Sequence, residues 1–261
     1  MKKQNNFKKQ IEAKEGPRAV STGMEPLEFP IRINRYLAHK GFSTRRGADE
    51  LITKGLVKIN GKVAVLGDKV ESADDKVEVS YSVIAKIEGS YRYLAYYKPR
   101  GISTDTQTEG ESIKSELPAL RGLFPLGRLD KDSEGLVILT NDGRLTDRVL
   151  SPDRVHEKEY LVKVDKKITD TFIRHLERGI LIEIYKTKPA KARRAGETLF
   201  RIVLTEGKKH QIRRMCAAEG YQVLELKRVR IMNIKLGDLK ESAYRDITGE
   251  ELTLLKKSIG L

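Results

Sequence analysis

The chain has 261 residues, 34% of them charged, and a formal net charge of +14 from 51 Lys and Arg against 37 Asp and Glu. A single cysteine excludes an intramolecular disulfide, and four histidines with no Cys/His group at ligand spacing argue against a structural zinc. No apolar stretch approaches the roughly 20 residues of a membrane span, and so basic a balance favours a polyanionic partner over a neutral one.

Residues 1–29 are rich in Lys, Asn, Gln and Glu, carry no apolar periodicity and are interrupted by Pro17 and Pro26. They read as a disordered basic tail. They also lack the apolar core of a signal peptide, so the cytoplasm is the expected location. Residues 30–79 read as a small domain. A short helix over Asn34–His39 stops at Gly41. Ser43 is placed to cap a second helix with Ala48, Leu51 and Ile52 on its apolar face, and Gly55 can end it. Asn60–Gly61 between Val57–Ile59 and Lys62–Val63 is a hairpin signal, because that pair suits a type I′ turn. Val77 and Val79 suggest a last strand. Eight basic residues lie between Arg32 and Lys62, opposed only by Asp49 and Glu50. A charge run alone is usually a solvated helix face; the hairpin and the basic balance favour a nucleic-acid surface.

Residues 80–91 read as a linker, and residues 92–261 as a strand-rich α+β domain. Arg92–Tyr97 is an apolar-aromatic strand, and Gly135–Thr140 a buried one. Asn141–Asp142–Gly143 then turns into a helix with Leu145 and Val149. Tyr160–Val164 and Thr198–Thr205 alternate as strands. Ile168–Arg178 is helical up to Gly179. Gln211–Ala218 is a helix with Ile212, Met215 and Cys216 on one face, where Cys216 reads as a buried thiol, not a nucleophile. Val223–Ile234 is mostly strand.

The most informative run is Phe124–Pro125–Leu126–Gly127–Arg128–Leu129–Asp130–Lys131–Asp132–Ser133–Glu134–Gly135, which leads directly into Leu136–Val137–Ile138–Leu139. It sets Asp130 in a short, Gly-bounded loop feeding an apolar strand. A carboxylate at the rim of a core, on a rigid element, is how an enzyme fixes one acid; an Asp near a Gly, taken alone, is usually a turn residue.

This run resembles the catalytic motif of the pseudouridine synthases that modify ribosomal RNA. Three further stretches resemble that family in the same order: Tyr96–Gly101 around its Lys-Pro-x-Gly strand, His156–Val162 around its tyrosine motif, and Gly207–Met215 around its arginine motif. The resemblance covers roughly residues 30–255, and its motifs are most similar to those of the large-subunit branch of the F type. Tyr97 stands where that family usually has Asn. Residues 30–79 resemble the alpha-L RNA-binding domain of a small-subunit ribosomal protein and of many RNA-modifying enzymes. That resemblance implies that Arg32, Asn34, Arg35, Ser43, Arg45 and Arg46 face RNA phosphates. For the larger domain it implies a curved, mainly antiparallel mixed sheet flanked by helices.

The implied reaction breaks the C–N glycosidic bond of uridine, turns the base over and closes a C–C bond. It involves no redox change, so no cofactor and no metal is expected. It needs one ionised carboxylate, for which Asp130 is the candidate, acting by attack on the sugar or by taking a proton from it. Burial alone would neutralise such a group, and a nearby guanidinium would keep it charged. By the resemblance Arg213 pairs with Asp130. Tyr160 stacks on the flipped uracil and assists proton removal. Arg128 is placed to fill the gap left when the uridine leaves the stack, or else to bind a phosphate. Leu129, Ile212 and Leu226 either wall the uracil pocket or simply pack the core. Lys208, Lys209 and Arg214, with Lys186, Lys188, Lys191, Arg193 and Arg194, extend the RNA footprint.

The expected partner is ribosomal RNA of the large subunit, with a sister synthase acting on small-subunit ribosomal RNA or on tRNA as the alternative, bound by a monomer without a membrane. Two rival readings remain open on the residues: a non-catalytic RNA-binding or assembly factor, and a glycosidase using Asp130 with Asp132 or Glu134 as the second acid.

Overall fold

The structure, a computed structural model, describes residues 27–40, 42, 45–80, 91–104, 111–117, 120, 122–150 and 155–261. The expected N-terminal tail up to residue 26, Gly41, the capping Ser43, and most of the expected linker lie outside the described residues. Two compact units are formed. One comprises the described residues up to Arg92 with Asn141–Arg148 and Gly260; the other comprises Tyr93–Thr140, Val149–Ile259 and Leu261.

In the first unit, β1 (Ile31–Arg32) leads into α1 (Ile33–His39), followed by α2 (Arg45–Thr53), β2 (Val57–Ile59), β3 (Lys62–Val63), β4 (Lys69–Val70) and β5 (Val77–Val79). β1 pairs antiparallel with β4, while β2 lies between β3 and β5. Asn60 (φ 50°) and Gly61 (φ 80°) make the left-handed turn that the Asn-Gly pair announces. Ile33, Leu37, Ala48, Ile52, Val57 and Val70 form most of a fully buried core. The Asn34 amide braces α1 to α2 by donating to Asp49 Oδ1 at 2.9 Å.

In the second unit the chain runs β6 (Tyr93–Lys98), α3 (Ile113–Glu116), β7 (Phe124–Pro125), β8 (Glu134–Thr140), α4 (Arg144–Leu150, whose last residues enter this unit) and β9 (Lys158–Val164). Then come α5 (Asp170–Arg178), β10 (Leu181–Ile182), β11 (Tyr185–Lys186), β12 (Lys191–Arg194), β13 (Leu199–Leu204), α6 (Gln211–Ala218), β14 (Val223–Ile231), β15 (Ile234–Lys235), β16 (Tyr244–Asp246) and α7 (Gly249–Ser258). Among the described residues nine strands make one sheet in the order β12-β13-β9-β14-β8-β6-β16, with β15 on β14 and β7 on β8. All its pairings are antiparallel except β14 with β8, so the sheet is mixed, and the architecture is α+β as expected.

Local chemistry explains the strongest elements. Residues 135–140 of β8 are all buried, because the strand lies between β6 and β14. α5 starts where Thr169 Oγ1 accepts from the Phe172 N–H at 3.1 Å, and it turns Phe172 and Leu176 inward. α6 buries Ile212, Met215 and Cys216, the face its spacing predicts. Register shifts at Val223/Glu225 and Arg228/Arg230 break the ladder of β14 on β9. α3, α7 and β16 are not foreseen in the sequence, and β12 reads there only as a basic cluster. β12 holds one alternate apolar residue, Ala192, and is a strand because β13 pairs with it over four residues. Among the described residues no helix is long and apolar enough to cross a membrane.

Candidate active site

Asp130 lies in the connection between β7 and β8, in a turn closed by the Ser133 N–H donating to the Asp130 carbonyl at 3.0 Å. Its carboxylate is 34% exposed, open enough to meet a ligand, and His210 Nε2 lies 3.6 Å from Oδ1. His210 precedes α6 in a left-handed conformation, φ 52°. The bend that φ imposes aims the imidazole at the loop. His210 stands inside the Lys-Lys-His-Gln stretch, where nothing in the sequence marks it as a neighbour of Asp130.

Arg213, on the first turn of α6, does not reach the Asp130 carboxylate as the resemblance implies. Its Nη2 donates to the Asp132 carbonyl at 2.9 Å and lies 3.4 Å from Ser133 Oγ, while Nη1 donates to the Val223 carbonyl at 3.3 Å. The guanidinium therefore grips the backbone just past Asp130. The turn closed at Ser133 presents the Asp132 carbonyl to Arg213, while the Asp130 carboxylate faces His210.

Two further cations hold the same loop from beneath. Lys98, fully buried, donates to the carbonyls of Pro99 (2.7 Å), Ile102 (2.7 Å) and Lys131 (3.4 Å). Burial, with the Arg228 charge adding to it, pushes the Lys98 ammonium down to about 8, while Asp130, Glu116 and Asp132 pull the other way. Arg228, 2% exposed, donates from Nε to the Leu136 carbonyl at 2.7 Å and from Nη1 to the Arg128 carbonyl at 3.2 Å. Its Nη2 is buried without a partner. Thr104 completes the grip: its hydroxyl donates to the Leu129 carbonyl and accepts from the Leu129 N–H. Carbonyls thus replace carboxylates as the acceptors for buried cations. Neither Lys98 nor Thr104 carries a signal as a support for Asp130 in the sequence. Nor does the sequence mark Arg228 as buried.

Tyr160 sits on β9 between Ile202 of β13 and Arg228 of β14. Half-buried, it packs against two apolar clusters, one holding Leu129 and the other Ile212 and Leu226. Those three are at most 6% exposed, so they are core. Cys216 is fully buried and its thiol is pushed up to about 12 by desolvation, which leaves it without thiolate character. Tyr97 is accommodated by polar contacts: its hydroxyl donates to Glu134 Oε1 at 3.1 Å, and Lys227 Nζ lies 5.3 Å from its ring centroid. Glu134 also accepts from Lys227 at 2.9 Å. Its carboxylate is thus committed, and Asp132 is exposed on the turn. A paired-acid site of the glycosidase kind has no support in this arrangement.

The remaining sequence candidates divide by exposure. Arg128, Lys208 and Lys209 are exposed, with Lys208 Nζ 5.1 Å from the Tyr185 ring centroid. Arg214 is half-buried and paired with Glu183 at 3.0 Å. In the first unit Arg32, Arg35 and Arg45 are exposed, as a phosphate-facing surface requires. Asn34 is instead spent on Asp49. Ser43 and the Arg46 side chain lie outside the described residues.

Comparison with known proteins adds to this geometry. Residues 92–218 match the family described as RNA pseudouridylate synthase, and residues 31–77 match the S4 domain. The chain is 44% identical over 230 residues to the dual-specificity RNA pseudouridine synthase RluF of Salmonella typhi, covering 87% of this chain and 79% of the relative. It is 35% identical over 237 residues to the ribosomal large subunit pseudouridine synthase B of Bacillus subtilis, covering 86% and 95%. A crystal structure of pseudouridylate synthase superposes with a TM-score of 0.64 at 30% identity, covering 86% of this chain and 99% of that one.

Proposed function

The chain belongs to the RNA pseudouridylate synthase family, and on that premise we propose that Asp130 is the carboxylate with which it isomerises uridines of large-subunit ribosomal RNA. That it is an RNA pseudouridine synthase with an S4 domain ahead of the catalytic fold follows from the family. The large subunit is favoured by the name of the Bacillus relative, and a second RNA substrate by the dual specificity in the name of the Salmonella one.

The observation that carries the assignment is the set of grips on the Asp130 loop. Arg213, Lys98, Arg228 and Thr104 fix the carbonyls of residues 128, 129, 131 and 132, yet none takes the carboxylate. A loop fixed by its backbone leaves its acid free for a ligand at a defined place.

In the reaction the target uridine leaves its stack and enters the site. Asp130 meets the ribose, either bonding to its anomeric carbon as the C–N bond breaks or removing a sugar proton. The detached uracil turns, stacked on the Tyr160 ring, and C5 bonds to the anomeric carbon as the Asp130–sugar bond breaks or, on the other route, as the sugar proton is returned from Asp130. The C5 proton then leaves with help from the Tyr160 hydroxyl, and N1, which departed with the bonding pair, takes up a proton. Atoms and charge balance without a redox partner, so the scheme uses no cofactor. Arg213 positions the loop. Residues 30–79 dock the RNA, with Arg32, Arg35 and Arg45 on phosphates, and residues 92–261 carry out the chemistry in a monomer working in the cytoplasm.

The test is Asp130→Asn with transcribed, unmodified large-subunit RNA and tRNA. Pseudouridine formation should vanish while RNA affinity stays within about twofold, since one exposed carboxylate adds little to phosphate-driven binding. Turnover by Asp130→Asn, or modification confined to another RNA, would refute the respective half of the proposal.

A further inference from the structure

The hairpin β10–β11 exposes an apolar side chain at its tip. Ile182 pairs with Tyr185, so Glu183 and Ile184 form a two-residue turn with Glu183 at φ 55°. Ile184 is 99% exposed, and Leu181 beside it 63%. Single exposed apolar residues are common, so the exposure by itself assigns nothing.

The bracing of the tip is the second observation. Glu183 is ion-paired at 3.0 Å to Arg214, which neighbours the loop-gripping Arg213 on α6. The Tyr185 hydroxyl donates to Glu206, whose Oε1 also accepts from the Lys188 N–H at 3.0 Å and from Gln211 Nε2 at 2.5 Å. Gln211 adjoins His210, whose Nε2 lies 3.6 Å from Asp130 Oδ1. The turn and the second strand of the hairpin are therefore tied to the first turn of the helix that follows His210.

The charges around the tip choose the occupant. Glu183 and Glu206 are both consumed by these contacts. Lys186, Lys188, Lys208 and Lys209 are exposed, and among the described residues none of them has a carboxylate partner. An apolar tip ringed by uncompensated cations fits a nucleic acid: phosphates meet the lysines, and an aliphatic side chain enters or covers a base step, as apolar wedges do in duplexes.

We infer that the β10–β11 hairpin is an RNA-docking element, with Ile184 packed against the base stack next to the reacting uridine and Lys186 and Lys188 on the flanking phosphates. This rests on the chain acting on RNA at Asp130, and it adds a contact that holds the opened stack beside the site.

The experiment uses the full chain and transcribed large-subunit RNA, with Ile184→Asp compared to Leu254→Asp, a change at an exposed leucine on α7 (46% exposed). Ile184→Asp should raise Kd and KM about tenfold, leave kcat within about twofold and leave Tm unchanged. Leu254→Asp should change none of these. A photo-crosslinking residue at position 184 should label nucleotides adjacent to the modified uridine. Unchanged Kd and KM in Ile184→Asp overturn the inference, as does a self-association that Ile184→Asp abolishes while RNA binding persists. If wild-type protein forms no pseudouridine, the catalytic proposal fails by itself, and the Kd and crosslinking results still decide the docking role.

Discussion

The Arg213 guanidinium donates to the backbone carbonyl of Asp132 at 2.9 Å, holding the turn that carries Asp130 by its main chain and not by its acid. Further contacts of Arg213 with the Val223 carbonyl and the Ser133 hydroxyl tie that turn to β14. Arg213→Ala should lower kcat for pseudouridine formation by about a hundredfold, the scale of a 1 Å misplacement of a reacting group. Arg213→Lys should recover little, because an ammonium cannot span carbonyls fixed for a planar fork. A single-turnover assay decides; full activity in Arg213→Lys would show that charge alone suffices.

Gly135 opens the buried stretch of β8 at φ 108°, and a Cβ there would stand 2.4 Å from the Arg228 carbonyl oxygen. The close approach is what lets β8 pair in parallel with β14 at Arg228↔Gly135. Gly135→Ala should destabilise the protein by about 3 kcal/mol, from backbone strain and the clash with a fixed carbonyl together. Denaturant unfolding measures it, and a change under about 1 kcal/mol would mean the strands separate cheaply.

Lys98 is buried as a cation whose folded value is pushed down to about 8 from its ordinary value of 10.5. The unfolded chain therefore holds more protons between those limits, and stability rises with pH across them. Below about pH 8 the full cost of the buried charge is present; above about pH 10.5 it is gone. The stability of wild type relative to Lys98→Met should thus climb by roughly 1–3 kcal/mol between pH 8 and 10.5. A flat difference would show that the carbonyl bonds fully compensate the charge. Lys98→Met should also lose activity at neutral pH, because the carbonyls of Pro99, Ile102 and Lys131 lose their common donor.

Arg230 joins Glu157 and Glu159, each at 3.0 Å, across β9 and β14. Hydrogen bonds from Lys191 and then Arg230 hold Glu157 below its usual range. For Glu159 burial pushes upward, and the bonds from Arg230 and Arg201 outweigh it. Stabilisation from such carboxylates is present above their unfolded values, about 4.3, and is lost as pH falls through the lowered folded ones. Arg230→Gln should therefore cost about 1 kcal/mol at pH 7, discounted for partial exposure, with the difference from wild type closing below pH 4. Thermal unfolding across that range checks the sign.

RNA affinity should fall steeply with salt. If Arg32, Arg35, Arg45, Lys186 and Lys188 each neutralise one phosphate, the slope of log K against log salt should lie near −4, with about 0.7–0.9 lost per contact. Filter binding from low to moderate salt measures it. A slope near zero would locate the binding energy away from these cations.

Much of the architecture was legible because local chemistry dictates it. The Asn60–Gly61 turn follows from φ > 0, the buried run of β8 from its unbroken apolar sequence, and the bounds of α6 from the spacing of Ile212, Met215 and Cys216. The exposure of Arg32, Arg35 and Arg45 agrees with the reading of a basic face, whereas Asn34 turned inward because Asp49 on α2 lies within 2.9 Å. β12, with one apolar residue in four, had no signal of its own and depends on β13.

By itself the sequence determined that Asp130 would stand in a short loop at the rim of a core, since turn chemistry and apolar runs act between near neighbours. Only the tertiary structure decided what surrounds it. Arg213 holds a carbonyl, His210 faces the acid, and the buried Lys98 and Arg228 secure the loop from below. Those contacts join residues 33 to 100 positions apart, and their geometry is set by the parallel pairing of β14 with β8 and the placement of α6. No local pattern encodes such long-range register, because it emerges only when the sheet is assembled.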